Sequence, residues 1–128
     1  MNCEGTKLSL VVLVIVLCCS VASAAPLGTV KGRILDSEGA VIKEAHLLFH
    51  PDPSGQNKPD SRSDVMRNTD AAGRFDVQLS PGFYDVCIMA TAFTPECRKL
   101  LVSSGKTIQH DAQLKADSLV VQHLGDTF

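Results

Sequence analysis

The chain has 128 residues with a formal net charge of −2 at neutral pH; 45% of its residues are hydrophobic, 5% aromatic, and none is Trp. That near-neutral balance argues against nucleic acid and against electrostatic docking on a membrane, since both need a basic surface. The length suits one domain with a single core and leaves no room for a second of similar size.

Residues 1–24 read as a secretory signal peptide. Lys7 and the α-amino group make a short positive start, diluted by Glu4, and residues 8–17 (LSLVVLVIVL) form an apolar run too short to span a bilayer comfortably. Ala22-Ser23-Ala24 then offers an A-x-A cleavage site, so the expected mature chain begins at Ala25 and keeps no stable membrane insertion. Two alternatives stand beside this one. A membrane anchor would extend the apolar count through Cys18, Cys19 and Val21. Lipid attachment would use Cys18 or Cys19, although Leu17 is larger than the residue it usually follows. The export signal places the protein in a secreted location, extracellular or periplasmic.

The mature chain alternates. Val30, Gly32 and Ile34 share one side of residues 27–35, opposite Leu27, Thr29, Lys31 and Arg33, and a turn at 36–39 closes the segment. Ala45, Leu47 and Phe49 face one way in the next strand, and His46, Leu48 and His50 the other. Residues 51–68 read as a long polar connection, rich in Pro, Asp and Ser, with almost nothing to bury. Loops of this length inside compact domains are either functional or mobile. Residues 69–88 (TDAAGRFDVQLSPGFYDVCI) read as a turn, a strand, a second turn and a second strand. Phe75, Val77 and Leu79, then Tyr84, Val86 and Ile88, supply the apolar sides, and so short a connection predicts antiparallel pairing. A further strand over 96–103 points Leu100 and Val102 with Tyr84 and Val86. Ile108, His110, Ala112 and Leu114 line one side of a strand over 108–115. The remainder, 116–128, reads as an extra edge strand or a frayed tail.

Three of the five cysteines fall in the leader, so Cys87 and Cys97 alone remain in a chain bound for an oxidising compartment. If residues 83–90 and 96–103 form a hairpin, the two cysteines lie directly opposite on the same face. A disulfide there would stabilise the fold by roughly 2.5–3 kcal/mol on the chain-entropy model. Two free thiols are the alternative; a redox pair would need a C-x-x-C spacing, which is absent. Six or seven short strands, with turn signals about every eight to twelve residues, predict an all-β antiparallel sandwich of two sheets packed face to face.

The pattern resembles the carboxypeptidase regulatory-like domain family. The residues that carry the likeness are Gly28, Val30, Gly32, Ile34, Asp36 and Gly39, then Ile42 and Ala45. A second block comprises Thr69, Asp70, Gly73 and Phe75, followed by Leu79, Pro81, Gly82, Tyr84 and Val86. The resemblance spans residues 28 to about 114 and implies a transthyretin-like (Ig-like, prealbumin-like) sandwich of about seven strands, a fold also grouped as carbohydrate-binding-like. It divides the chain into a signal peptide (1–24), the sandwich domain (25–115) and a terminal segment (116–128). Three departures stand out. Val41 and Glu44 replace the family's frequent Pro and Gly, Ala92-Phe93 replaces Gly-Phe, and the 51–68 connection is longer than the usual hairpin. The family's domain is an accessory module, found beside the catalytic domain of certain zinc carboxypeptidases and in secreted enzymes or outer-membrane receptors. The likeness therefore implies a binding role, and association with a secreted carboxypeptidase is one form of it.

The chemistry-bearing residues point the same way. No H-x-x-E or H-E-x-x-H pattern exists, and His46 and His50 stand about 13 Å apart along one strand, too far to share a metal. His110 reads as a hydrogen-bonded or edge histidine. Asp52, Asp60, Asp64 and Asp70 suggest calcium, but the D-x-[DN]-x-[DN]-G loop is missing. With no nucleophile elbow and no phosphate loop, the expectation is that the chain is not an enzyme and takes no cofactor. A protein partner is expected, contacted by the end loop through Asp52, Gln56, Lys58, Asp60, Arg62, Asp64 and Arg67, with an open sheet edge as the second candidate. Carbohydrate is the alternative ligand. Its platform would need exposed rings, and Phe83 and Phe93 are the only candidates because Tyr84 points inward.

Overall fold

The computed structural model describes residues 25–56 and 59–118; the expected signal peptide, Lys58 and residues 119–128 lie outside the described residues. Eight strands follow in order: β1 (Gly28–Asp36), β2 (His46–Pro51), β3 (Val65–Asn68), β4 (Arg74–Leu79), β5 (Gly82–Met89), β6 (Glu96–Val102), β7 (Thr107–Gln109) and β8 (Ala112–Leu114). They form two four-stranded sheets. In the first, β1 lies between β4 on one side and β7 and β8 on the other; the second runs β3-β2-β5-β6. The all-β sandwich expected from the alternation is therefore the architecture observed.

The sides named in the sequence are the sides buried. Val30, Ile34, Leu47, Phe49, Phe75, Val77, Leu79, Tyr84, Val86, Ile88, Val102 and Leu114 make one continuous core between the sheets. Phe49 of the second sheet and Phe75 of the first meet with ring centroids 6.2 Å apart, tilted by 48°. Burying apolar side chains of this size contributes about 1.5–3 kcal/mol each, before the entropy of ordering is subtracted.

Four expectations are corrected. The 69–88 stretch is not a hairpin: β4 pairs antiparallel with β1, while both edges of β5 are taken by β2 and β6. The link through Ser80 and Pro81 crosses between sheets, so successive amphipathic strands cover each other instead of lying side by side. Next, the 51–68 connection is not loop throughout, because its last four residues form β3 and pair with β2. The sandwich is also not wholly antiparallel. Strand β1 runs parallel to β7 over Thr29–Lys31 and then parallel to β8 over Ile34–Asp36. Finally, the strand expected over 108–115 breaks into β7 and β8 at His110 and Asp111.

That break has a local cause. Where β1 changes partner, His110 N–H donates to Lys31 O at 2.8 Å, and Asp111 Oδ1 accepts the Arg33 backbone N–H at 2.9 Å, standing in for a carbonyl. The His110 carbonyl presses against Gly32 so closely that a Cβ there would collide with it. Glycine is thus required at 32 by close approach. Residues Glu44 and Ala92 have φ of 57° and 69°, the left-handed region that disfavours a side chain. These are two of the positions where the resemblance leads one to expect glycine.

Opposite stability changes follow at these positions. Gly32→Ala should cost more than about 3 kcal/mol, because backbone of two strands must separate. Ala92→Gly should gain up to about 1 kcal/mol, the relief of left-handed strain less the extra unfolded-state entropy of glycine. Urea unfolding of both variants checks the two signs together.

Candidate functional site

Two regions concentrate the polar chemistry: the connection after β2 and the solvent-facing side of the second sheet. The first is an internally bonded clip. Asp52 Oδ1 accepts the Ser54 N–H, and Asp60 Oδ1 accepts the Arg62 N–H, two Asx turns that fold the connection back on itself. Arg62 then reaches under the end of β5. Its guanidinium bonds Asp60 at 2.6 and 2.9 Å, the Phe83 carbonyl at 3.0 Å and the Asp52 carbonyl at 3.0 Å, and lies 4.6 Å from the centre of the Tyr84 ring. Only 8% of the Arg62 side chain is exposed. Gly82 makes this possible, since a Cβ there would occupy the guanidinium's place. Tyr84 closes the corner by donating its hydroxyl to Ser80 O at 2.7 Å, a device similar to the tyrosine corner of other sandwiches.

Charge follows the same bonds. The Lys99 ammonium, aided by Ser54, holds the Asp52 carboxyl well below the usual carboxylate range, and Arg62 lowers the pKa of Asp60. In return Asp60 raises Arg62 and Asp52 raises Lys99. Asp52, Asp60 and Arg62, expected in the partner-contact set, thus have their polar groups engaged within the fold. Gln56, Asp64 and Arg67 remain exposed, with Arg67 carried on β3.

The second region is the outer face of β3-β2-β5-β6. The observed registers arrange its side chains in rows across the strands, spanning about 14 Å between the outer strands. One row is apolar: Met66, Leu48 and the Cys87–Cys97 disulfide. The next alternates between carboxylates and bases: Asp64, His50, Asp85 and Lys99, with His50 Nδ1 bonded to Asp64 Oδ1 at 2.6 Å and the Lys99 ammonium paired with Asp52 and 3.8 Å from Asp85. Beyond it Phe83 pairs with Leu101. Met66 is 57% exposed, Leu101 52% and Phe83 39%, so three large apolar side chains on this face meet solvent. At the far end His46 pairs with Asn68 at 2.8 Å. The hairpin expected to set Cys87 opposite Cys97 is present, and the disulfide is formed.

Phe83 and Phe93 are not brought together. Phe83 starts β5 on the outer face, whereas Phe93 lies beyond the strand's other end, half-buried against the core, and bridges Ala116. The two histidines of β2 each bond a neighbour on or beside β3, and among the described residues no group of three or more His, Cys, Asp or Glu could hold a metal ion. His110 is buried, and that burial, with Arg98 nearby, lowers its pKa against the opposing pull of Glu96 and Asp111. Sequence reasoning missed Met66, Leu101, Asp85 and Lys99. A signal existed for Leu48 and Leu101, apolar residues on the polar side of their alternation; Met66 was hidden inside an apparent loop.

No family model matches the chain, and no curated protein matches it. Solved structures do. The Bacillus anthracis TIE protein superposes with a TM-score of 0.56 at 17% identity, over 71% of this chain and 17% of that one. Hydroxyquinol 1,2-dioxygenase from Pseudomonas putida DLL-E4 gives 0.57 at 12% identity, over 75% of this chain and 58% of the enzyme. Wild-type catechol 1,2 dioxygenase from Acinetobacter radioresistens gives 0.59 at 10% identity, over 77% and 55%. The chain therefore spans less than two thirds of each, and at such identities the likeness establishes the sandwich alone. It also corrects the expectation that the chain is not an enzyme: these dioxygenases carry the same sandwich, so the fold supplies no ground for excluding catalysis.

Two measurements test this account. Arg62→Ala should release residues 52–64, seen as faster proteolytic cleavage there than in the parent, with a stability loss of about 1–3 kcal/mol; cleavage at the parent rate would count against the clip. For His110, the folded pKa lies below the unfolded value near 6.5. Stability is full above that value and falls as the pH drops through it, because the unfolded chain takes up the proton first. The slope stays below about 1.4 kcal/mol per pH unit, the limit for one proton, and His110→Gln should flatten that limb of the stability profile while leaving the carboxylate-driven loss at lower pH.

Proposed function

We propose that this chain is an exported recognition module of the carboxypeptidase regulatory-like type, which binds a protein through the outer face of its second sheet. The observation that carries the reading is the apolar row running across all four strands, with solvent-exposed Met66 at one end and exposed Leu101 and Phe83 beyond a row of alternating carboxylates and bases. The Met66-to-Cys97 row is contiguous and flanked by charge, an arrangement that marks interaction sites where scattered apolar residues do not. Family membership is supported by the motif residues from Gly28 to Val86 and by the left-handed backbone at Glu44 and Ala92, where the family tends to carry glycine. Export is supported by the apolar leader and by Cys87–Cys97, a disulfide of the kind that persists in oxidising compartments. The sheet face replaces the end loop as the favoured contact, because Arg62 binds the loop's inner half to the sandwich. A carbohydrate platform is the weaker reading, since Phe83 and Phe93 sit at opposite ends of β5.

A photo-reactive residue placed at Leu101 should form protein adducts when the exported protein is irradiated in the fluid of its own compartment. The same probe at Gln78, on the outer face of the first sheet, should not. Equal labelling at both positions, or none at Leu101, would sink the proposal.

A further inference from the structure

We infer that the partner of this face is a second copy of the chain, docked about a two-fold axis running parallel to the strands between β2 and β5. The inference rests on the recognition reading above and names its partner.

A two-fold interface is isologous, so a patch must complement its own reversed image. The charged row does. Read from β3 to β6 it is Asp64, His50, Asp85, Lys99. A two-fold parallel to the strands reverses the order, setting Asp64 against Lys99 and His50 against Asp85, each pair occurring twice. His50 Nδ1 is held by Asp64, which leaves Nε2 as the ring nitrogen for Asp85 of the other copy. The apolar row is reversed by the same operation, so that Met66 meets Cys97 and Leu48 meets Cys87, apolar surface on apolar surface. A two-fold running across the strands fails this test. Centred on the charged row it opposes like charges along its whole length; centred between rows it lays charges on the apolar row. Both arrangements are costly.

Sheets packed face to face keep their strand directions within about 30°. The His50–Asp85 pairs lie nearest the axis, so this rotation displaces them least. Lys99 stays paired with Asp52 of its own copy and offers its remaining ammonium protons to Asp64 of the other. Four rows of side chains make a small interface, suited to a reversible dimer rather than an obligate one.

Sedimentation analysis over a concentration series, using protein produced from the full chain, tests the inference. The parent should show reversible dimerisation. His50→Glu sets carboxylate against carboxylate twice, and Asp85→Lys sets ammonium against imidazole twice, so each alone should associate at least about tenfold more weakly. An equimolar mixture of the two variants again opposes an anion to a cation across the axis, and should form a heterodimer near parental affinity. Thermal unfolding confirms that each variant is folded. Should either fail to fold, Met66→Glu reads the same face from an exposed position; unaltered association in that variant would overturn the inference. A parent that stays monomeric, or a mixture that stays as weak as its components, would also overturn it. Adducts at Leu101 with a different protein, from a monomeric parent, would remove the second copy and leave the recognition reading standing. No adducts and no dimer would remove both.

Discussion

An amphipathic strand has one apolar face and two hydrogen-bonding edges, and in this chain the faces and the edges are satisfied by different neighbours. Strands β4 and β5 show it most clearly. Their apolar faces, Phe75-Val77-Leu79 and Tyr84-Val86-Ile88, are buried in the same core. Their edges belong to β1 and to β2 and β6. The crossing at Ser80 and Pro81 is what assigns the two strands to opposite layers. Everything else must then fit: β1 finds its second edge in β7 and β8, and Phe49 reaches across to Phe75.

The same crossing creates the end of the sandwich that Arg62 closes. Where the chain passes from one sheet to the other, the Phe83 carbonyl and the Tyr84 ring are left at the open end. A planar guanidinium can satisfy the carbonyl and cover the ring at once. Asp60 neutralises it, and Gly82 leaves the space. What reads as a long polar connection is thus a plug whose charges face one another, Asp60 turned to Arg62 and Asp52 to Lys99. The exposed chemistry is displaced to the broad side of the second sheet, where strand register composes rows from residues distant in the chain. Met66, Leu48, Cys87 and Cys97 become one apolar row only because three separate pairings align them.

Those rows also explain why the candidate site was less legible than the fold. Binary alternation names the inward side of each strand, and Val30, Leu47, Phe75, Tyr84 and Val102 are all buried as it requires. It does not name lateral neighbours, so the outer face could not be assembled from it. Leu48 and Leu101 were visible as apolar residues on polar sides, but nothing local links them to Met66. Arg62 and Asp60 were legible as loop residues and not as a clip, because their partners, the Phe83 carbonyl and the Tyr84 ring, lie far along the chain on another strand.

By itself the sequence determined the all-β class, the inward side of each main strand, the turn at Asp70–Gly73 and the opposition of Cys87 to Cys97. These depend on period-two alternation and short-range turn chemistry, which involve residues close together in the chain. Tertiary structure alone decided the layer to which each strand belongs, the parallel pairing of β1, the break at His110 against Gly32, and the rows of the outer face. Each of these is a choice among edges that are chemically alike, since every strand offers the same N–H and C=O groups. Only the packing of the whole core selects between them.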